Sequence, residues 1–249
     1  MTYIIVTLIP LILLCRLAII LSTSGQWWRF PLFTLYTFYA VADLIHLLVR
    51  LLHGMQIRAT PLWLVTEAIF AFIGLLATYE AFAVVFEPFY NVVWLRRTLP
   101  IILTAIGLLA MTKVIYNPPR DADRLGIIIL NGEIVVRYLQ AAIFTAFFIM
   151  ARLLRIQPMK RGAAVLDGFG LIAVGILVAS MLRSEFGTSI NFLFQYLPSV
   201  TYIVAVVIWL AGFSAPEEKL NGAGHSALQR MLEELKKYVG IRKGLGYKQ

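Results

Sequence analysis

Seven times along the chain an apolar stretch recurs that is long enough, at about 20 residues per crossing, to span the hydrocarbon core of a bilayer. The stretches cover about 3–23, 31–53, 61–86, 99–116, 126–151, 164–182 and 192–213. Inside hydrocarbon the backbone must satisfy its own hydrogen bonds, so each stretch reads as a helix. With 60% hydrophobic and 14% charged residues among 249 and a mean hydropathy of +0.82, a water-soluble enzyme domain is excluded. The connections are short and carry turn residues, as at Ser22-Thr23-Ser24-Gly25, Asn117-Pro118-Pro119-Arg120 and Gly187-Thr188-Ser189. The expectation is an all-α polytopic membrane protein: a bundle of seven transmembrane helices over 1–215, then a C-terminal tail, 216–249, with an amphipathic helix over about 226–240.

Charge sets the orientation. Arg29, Arg96, Arg97, Arg152, Arg155, Lys160, Arg161 and the seven basic residues from Lys219 onward share one side; Arg50, Arg58, Lys113, Arg120, Arg124 and Arg183 share the other. The excess of fourteen over six places the N-terminus outside and the C-terminus in the cytoplasm of a plasma (inner) membrane. The first stretch is not read as a secretion signal, since no basic residue precedes it and Arg16 interrupts it. Because the 22 basic residues are scattered over helix ends and tail, nucleic acid is not an expected partner.

Trp27, Trp28, Trp63, Trp94 and Trp209 fall near the ends of spans, where indole rings belong to the headgroup layer. The mixed segment Phe86–Leu95, followed by Arg96 and Arg97, reads as an anchor along the inner surface. In the tail, Leu228, Met231, Leu232, Leu235, Tyr238 and Val239 share a helical face, with Glu233 four residues before Lys237 opposite. That face suits the anionic inner leaflet, or a cytoplasmic or membrane protein partner engaged through 226–249.

Ionisable groups within a bilayer cost several kcal/mol unless paired or hydrated, so those inside the spans are the candidate functional residues. At about 1.5 Å per residue, Asp43 and Arg137 lie roughly 16 Å from the outer ends, and His46, Glu67 and Glu133 about 9–12 Å. Asp43, His46 and Arg50 are spaced three and four apart, and Glu133 and Arg137 four apart, so each set lines one helix face. The six residues, with Tyr39 and Tyr138 nearby, form an expected outward-facing cluster that either binds a small ligand or ion or locks its helices with mutual ion pairs. Toward the inner side Arg16 and Glu80 share a depth and are paired by expectation.

No catalytic site or metal site is expected. His46 and His53 share a face, but haem ligation between facing helices needs a second histidine that only His225 in the tail supplies. The lone Cys15 allows no internal disulfide, and no phosphate loop, His-Glu-x-x-His or Gly-x-Ser-x-Gly is present. Gly175 and Ala179, with Gly168 and Gly170 upstream, invite a close helix neighbour in this chain or in an oligomer. Pro10 and Pro198 predict helix kinks, with Gln195 and Thr201 placed to use freed carbonyls.

The helix count and orientation resemble the layout of rhodopsins and G-protein-coupled receptors in topology alone. Span 192–213 has no lysine for a retinal Schiff base, and the Pro-Gln dipeptide of seven-helix sugar carriers is missing. Three functions follow as expectations: a non-enzymatic receptor, sensor or accessory protein; a proton- or ion-coupled carrier using Asp43, His46, Glu67, Glu133 and Arg137; or a structural or cofactor-holding subunit of a membrane complex.

Overall fold

The computed structural model describes residues 2–53, 61–87, 101, 104, 105, 108, 109, 112, 124–153, 160–186 and 191–215. Six α-helices occupy them: α1 (Thr2–Thr23), α2 (Pro31–Leu52), α3 (Pro61–Phe86), α4 (Arg124–Leu153), α5 (Lys160–Phe186) and α6 (Asn191–Ser214). No strand occurs among the described residues. Five segments are long and apolar enough to cross a membrane: Pro31–Leu52, Val65–Phe86, Asn131–Arg152, Lys160–Leu182 and Tyr196–Ser214; α1 adds a shorter apolar stretch, Thr7–Thr23.

The span expected over 99–116 is described at six positions. Ile101, Thr104, Ala105, Leu108, Leu109 and Thr112 are each helical and exposed, spaced as one helix face. The rest of that span lies outside the described residues, so the helices described number six where the sequence reading has seven. The tail 216–249, its helix over 226–240 and Arg58 also lie outside them. The segment expected as an inner-surface anchor begins differently: Phe86 is buried against Phe82 and Phe147, and the positions from 88 to 95 are not described.

The six helices pack in chain order as a ring. Each touches the next, α1 closes on α6, and α3 also crosses to α5. The outer surface carries Ile12, Ile19, Phe38, Phe72, Phe148 and Val207 exposed, an apolar exterior that suits a lipid bilayer. Since lipid is as apolar as these side chains, association relies on close packing through small residues. On α5, Gly162 faces Val85, Gly168 faces Trp209, Gly170 faces Phe144 and Gly175 faces Thr201, each so close that a Cβ would collide. The glycines of this helix therefore serve neighbours within the chain, α6 foremost.

Trp209 corrects the reading of the aromatic belt. It is 0% exposed, its indole donates to the Val165 carbonyl at 3.3 Å, and it packs edge-on against Phe33 and tilted against Phe169. Position near the end of a span suggested a headgroup ring; the gap at Gly168 draws it inward. Trp27 and Trp28 instead sit in a 3-10 turn, Gln26–Trp28, with Trp28 75% exposed, as a belt position requires. Gly25 permits that turn, with φ +67°, a left-handed conformation that glycine adopts without strain.

The entry to α2 explains Glu80. Phe30 precedes Pro31 at the first helical position and offers no side-chain cap, leaving the first N–H groups without intrahelical acceptors. Glu80 of α3 supplies them: its carboxylate accepts from the backbone N–H of Leu32 and of Phe33, both at 3.0 Å, where the positive end of the helix favours an anion. The Arg16 side chain expected opposite it is exposed. Glu80→Ala is expected to cost about 1–3 kcal/mol by stranding two charge-assisted hydrogen bonds, and Glu80→Gln less, as read from the midpoint of a denaturing-detergent titration.

Candidate functional site

The inward stripe of α4 runs Glu133, Arg137, Gln140, Ile143, Phe147, at helical spacing. Because Arg137 lies on that stripe rather than beside it, its guanidinium is carried into the ring, and the residue is 5% exposed. It is held by a chain of polar groups. One terminal nitrogen of Arg137 donates to Glu133 Oε1 at 3.2 Å, and the other to Gln140 Oε1 at 3.2 Å. Gln140 Nε2 donates to Thr78 Oγ1 at 3.3 Å, and the Thr78 hydroxyl donates to the Gly74 carbonyl at 2.7 Å. Gly74 matters to this chain, since a Cβ there would crowd Gln140, Tyr36 and Phe169.

The other helices add groups around this thread. From α2, Tyr36 is buried and hydrogen-bonded to Tyr202 of α6, and Arg137 and Glu67 both act on the pair electrostatically. From α3, Glu67 lies within the field of Glu133, Arg137 and Asp43. Asp43 in turn lies within the field of His46 and is felt by Tyr39 and Tyr202. Tyr39 donates to the Thr66 carbonyl at 3.0 Å, tying α2 to the start of α3.

The structure thus brings together Asp43, His46, Glu67, Glu133 and Arg137 at the end of the ring where α2 runs out and α3 begins. Arg50 is half-buried on the same face of α2. Exposure falls steadily along the cluster. Asp43 and His46 are exposed and Glu67 half-buried, Glu133 is 21% exposed, and Arg137, Gln140, Thr78 and Tyr36 are buried. Among the described residues the polar groups form a column that runs from exposed side chains at one end to buried ones inside the ring. Beyond it the interior is aromatic: Phe33, Phe169 and Trp209 meet at centroid distances of 5.0–6.1 Å, and Phe213 stacks on Phe33 at 5.4 Å.

Gln140, Thr78, Tyr36 and Tyr202 are the members that charge alone does not flag. Gln140 had a signal, seven residues after Glu133 and three after Arg137 on the same face. Pro10 and Pro198 lie inside α1 and α6; Thr201 donates to the carbonyls of Leu197 and Pro198 at 3.0 and 2.9 Å, whereas the side chain of Gln195 is outside the described set. Among the described residues no group of three His, Cys, Asp or Glu is placed to hold a metal ion. His53 is exposed, with Nδ1 2.8 Å from the Val49 carbonyl. No family model, curated protein or solved structure matches the chain.

Proposed function

We propose that this is a non-enzymatic, receptor-like protein of the plasma membrane, with its N-terminus outside, its C-terminus in the cytoplasm and a seventh span over 99–116. The polar column then opens outward and binds a small cationic ligand. The observation that carries this reading is the descent from exposed Asp43 through Glu67 to buried Arg137. A pure lock would be expected to shield its charges and match them. Here Glu133 already engages the Arg137 guanidinium, and Glu67 stands in the field of two further carboxylates as well as of that one guanidinium. An entering cation relieves that repulsion, and desolvated walls strengthen its attraction.

The aromatic interior beyond the column favours binding over transport, because a carrier path needs polar groups on both sides of the midplane. In this reading the cytoplasmic tail reports occupancy to a partner. The test is the thermal midpoint of the full chain in lipid nanodiscs, titrated with sodium, potassium, tetramethylammonium and butylammonium. At least one cation is expected to raise Tm, and Glu67→Gln to weaken that response about tenfold, equivalent to about 1.4 kcal/mol of binding free energy. Indifference of the protein to all four, or an unaltered response in Glu67→Gln, contradicts the reading.

A further inference from the structure

The guanidinium of Arg137 has an unused donor. Arginine carries five N–H donors in a rigid plane; the two terminal nitrogens engage Glu133 and Gln140, while Nε has no hydrogen-bond partner. Buried polar groups in native proteins almost always have one, and this donor belongs to a side chain that is 6% exposed. Metal binding does not explain it, since a guanidinium offers no lone pair. An acceptor is required, and the planar fork is shaped for a carboxylate. The Tyr36 and Tyr202 hydroxyls, hydrogen-bonded to each other, lie in the field of the same guanidinium.

Around the guanidinium the chemistry reverses. Glu67 acts on Arg137's neighbours and on Asp43 and Glu133, and Asp43 is open to the surroundings. One region therefore offers a hydrogen-bond donor to an anion at its buried end and carboxylates to a cation at its exposed end. From this juxtaposition we infer that the ligand is a small zwitterion, an amino acid in the broad sense, whose carboxylate sits against Nε of Arg137 and whose ammonium sits among Glu67 and Asp43. The inference rests on the proposed binding function and adds the second charge to it.

The full chain in nanodiscs tests it with five probes: glycine, 4-aminobutyrate, 6-aminohexanoate, butylamine and butyrate, each titrated against the thermal midpoint. One of the three amino acids is expected to raise Tm at a concentration at least tenfold below that needed for butylamine or butyrate. Arg137→Lys, which keeps the charge and loses the fork, is expected to reduce that amino acid to the level of butylamine. If butylamine stabilises the protein as well as every amino acid does, the site is a cation site with water on Nε; the binding function stands and the zwitterion is refuted. If none of the five, and none of sodium, potassium and tetramethylammonium, shifts Tm, both fall. The contrast among probes on the unaltered protein decides the matter even where Arg137→Lys does not fold.

Discussion

Arg137→Leu is expected to destabilise the helical ring by about 3–5 kcal/mol, the usual cost of breaking a buried ion pair from one side. The side chain is 6% exposed, so its loss strands the Glu133 carboxylate at 21% exposure and leaves Gln140 Oε1 without its donor. The penalty belongs mainly to the groups left behind rather than to the bond itself. The double replacement Glu133→Gln with Arg137→Leu is therefore expected to recover a large part of the loss. A denaturing-detergent titration of the three proteins measures both quantities. Equal stability of Arg137→Leu and the unaltered chain would mean that the guanidinium is not held in a closed network.

Trp209→Ala is expected to cost a similar amount, about 3–5 kcal/mol, for a different reason. The indole is fully buried, fills the gap left by Gly168 and joins Phe33, Tyr36 and Phe169 in one aromatic cluster. Its removal opens a cavity at the tightest helix pair and leaves the Val165 carbonyl without the donor at 3.3 Å. Because the cavity lies between α5 and α6, the loss appears in unfolding; Tyr36 and Tyr202 lose an edge-on ring neighbour, while the hydrogen bonds of Arg137 with Glu133 and Gln140 keep their partners. Binding per folded molecule is expected to change less than stability. A Trp209→Ala protein as stable as the original in the same titration would place the indole at the surface, as a headgroup ring.

Helix positions were legible because continuous apolar runs have one solution in lipid: the stretch read as 61–86 is α3, Pro61–Phe86, and that read as 31–53 is α2, Pro31–Leu52. Position along the helix axes was legible too: Asp43, Glu67, Glu133 and Arg137 act on one another at one end of the ring, with His46 beside Asp43. Azimuth was not. Arg16 and Glu80 share a depth, yet the carboxylate turns to the start of α2, a destination that depends on how α2 and α3 meet. Trp209 and Phe86 were misread for the same reason, since distance from the end of a span says nothing about which way a ring points. Gln140 and Thr78 escaped notice because uncharged polar side chains barely disturb an apolar run; their importance appears only when α3 and α4 are placed side by side.

The proposed site requires that Asp43 stand in a water-filled mouth inside the membrane, not against lipid. The direct measurement is reaction with a membrane-impermeant, positively charged thiol reagent added to intact cells, after Cys15→Ser removes the chain's single cysteine. Asp43→Cys is compared with Phe38→Cys, which is 49% exposed on the outer surface of α2, and with Gln140→Cys, which is buried. Asp43→Cys is expected to react readily while the other two do not. An Asp43→Cys protein that is folded, present in the membrane and no more reactive than Phe38→Cys would contradict it.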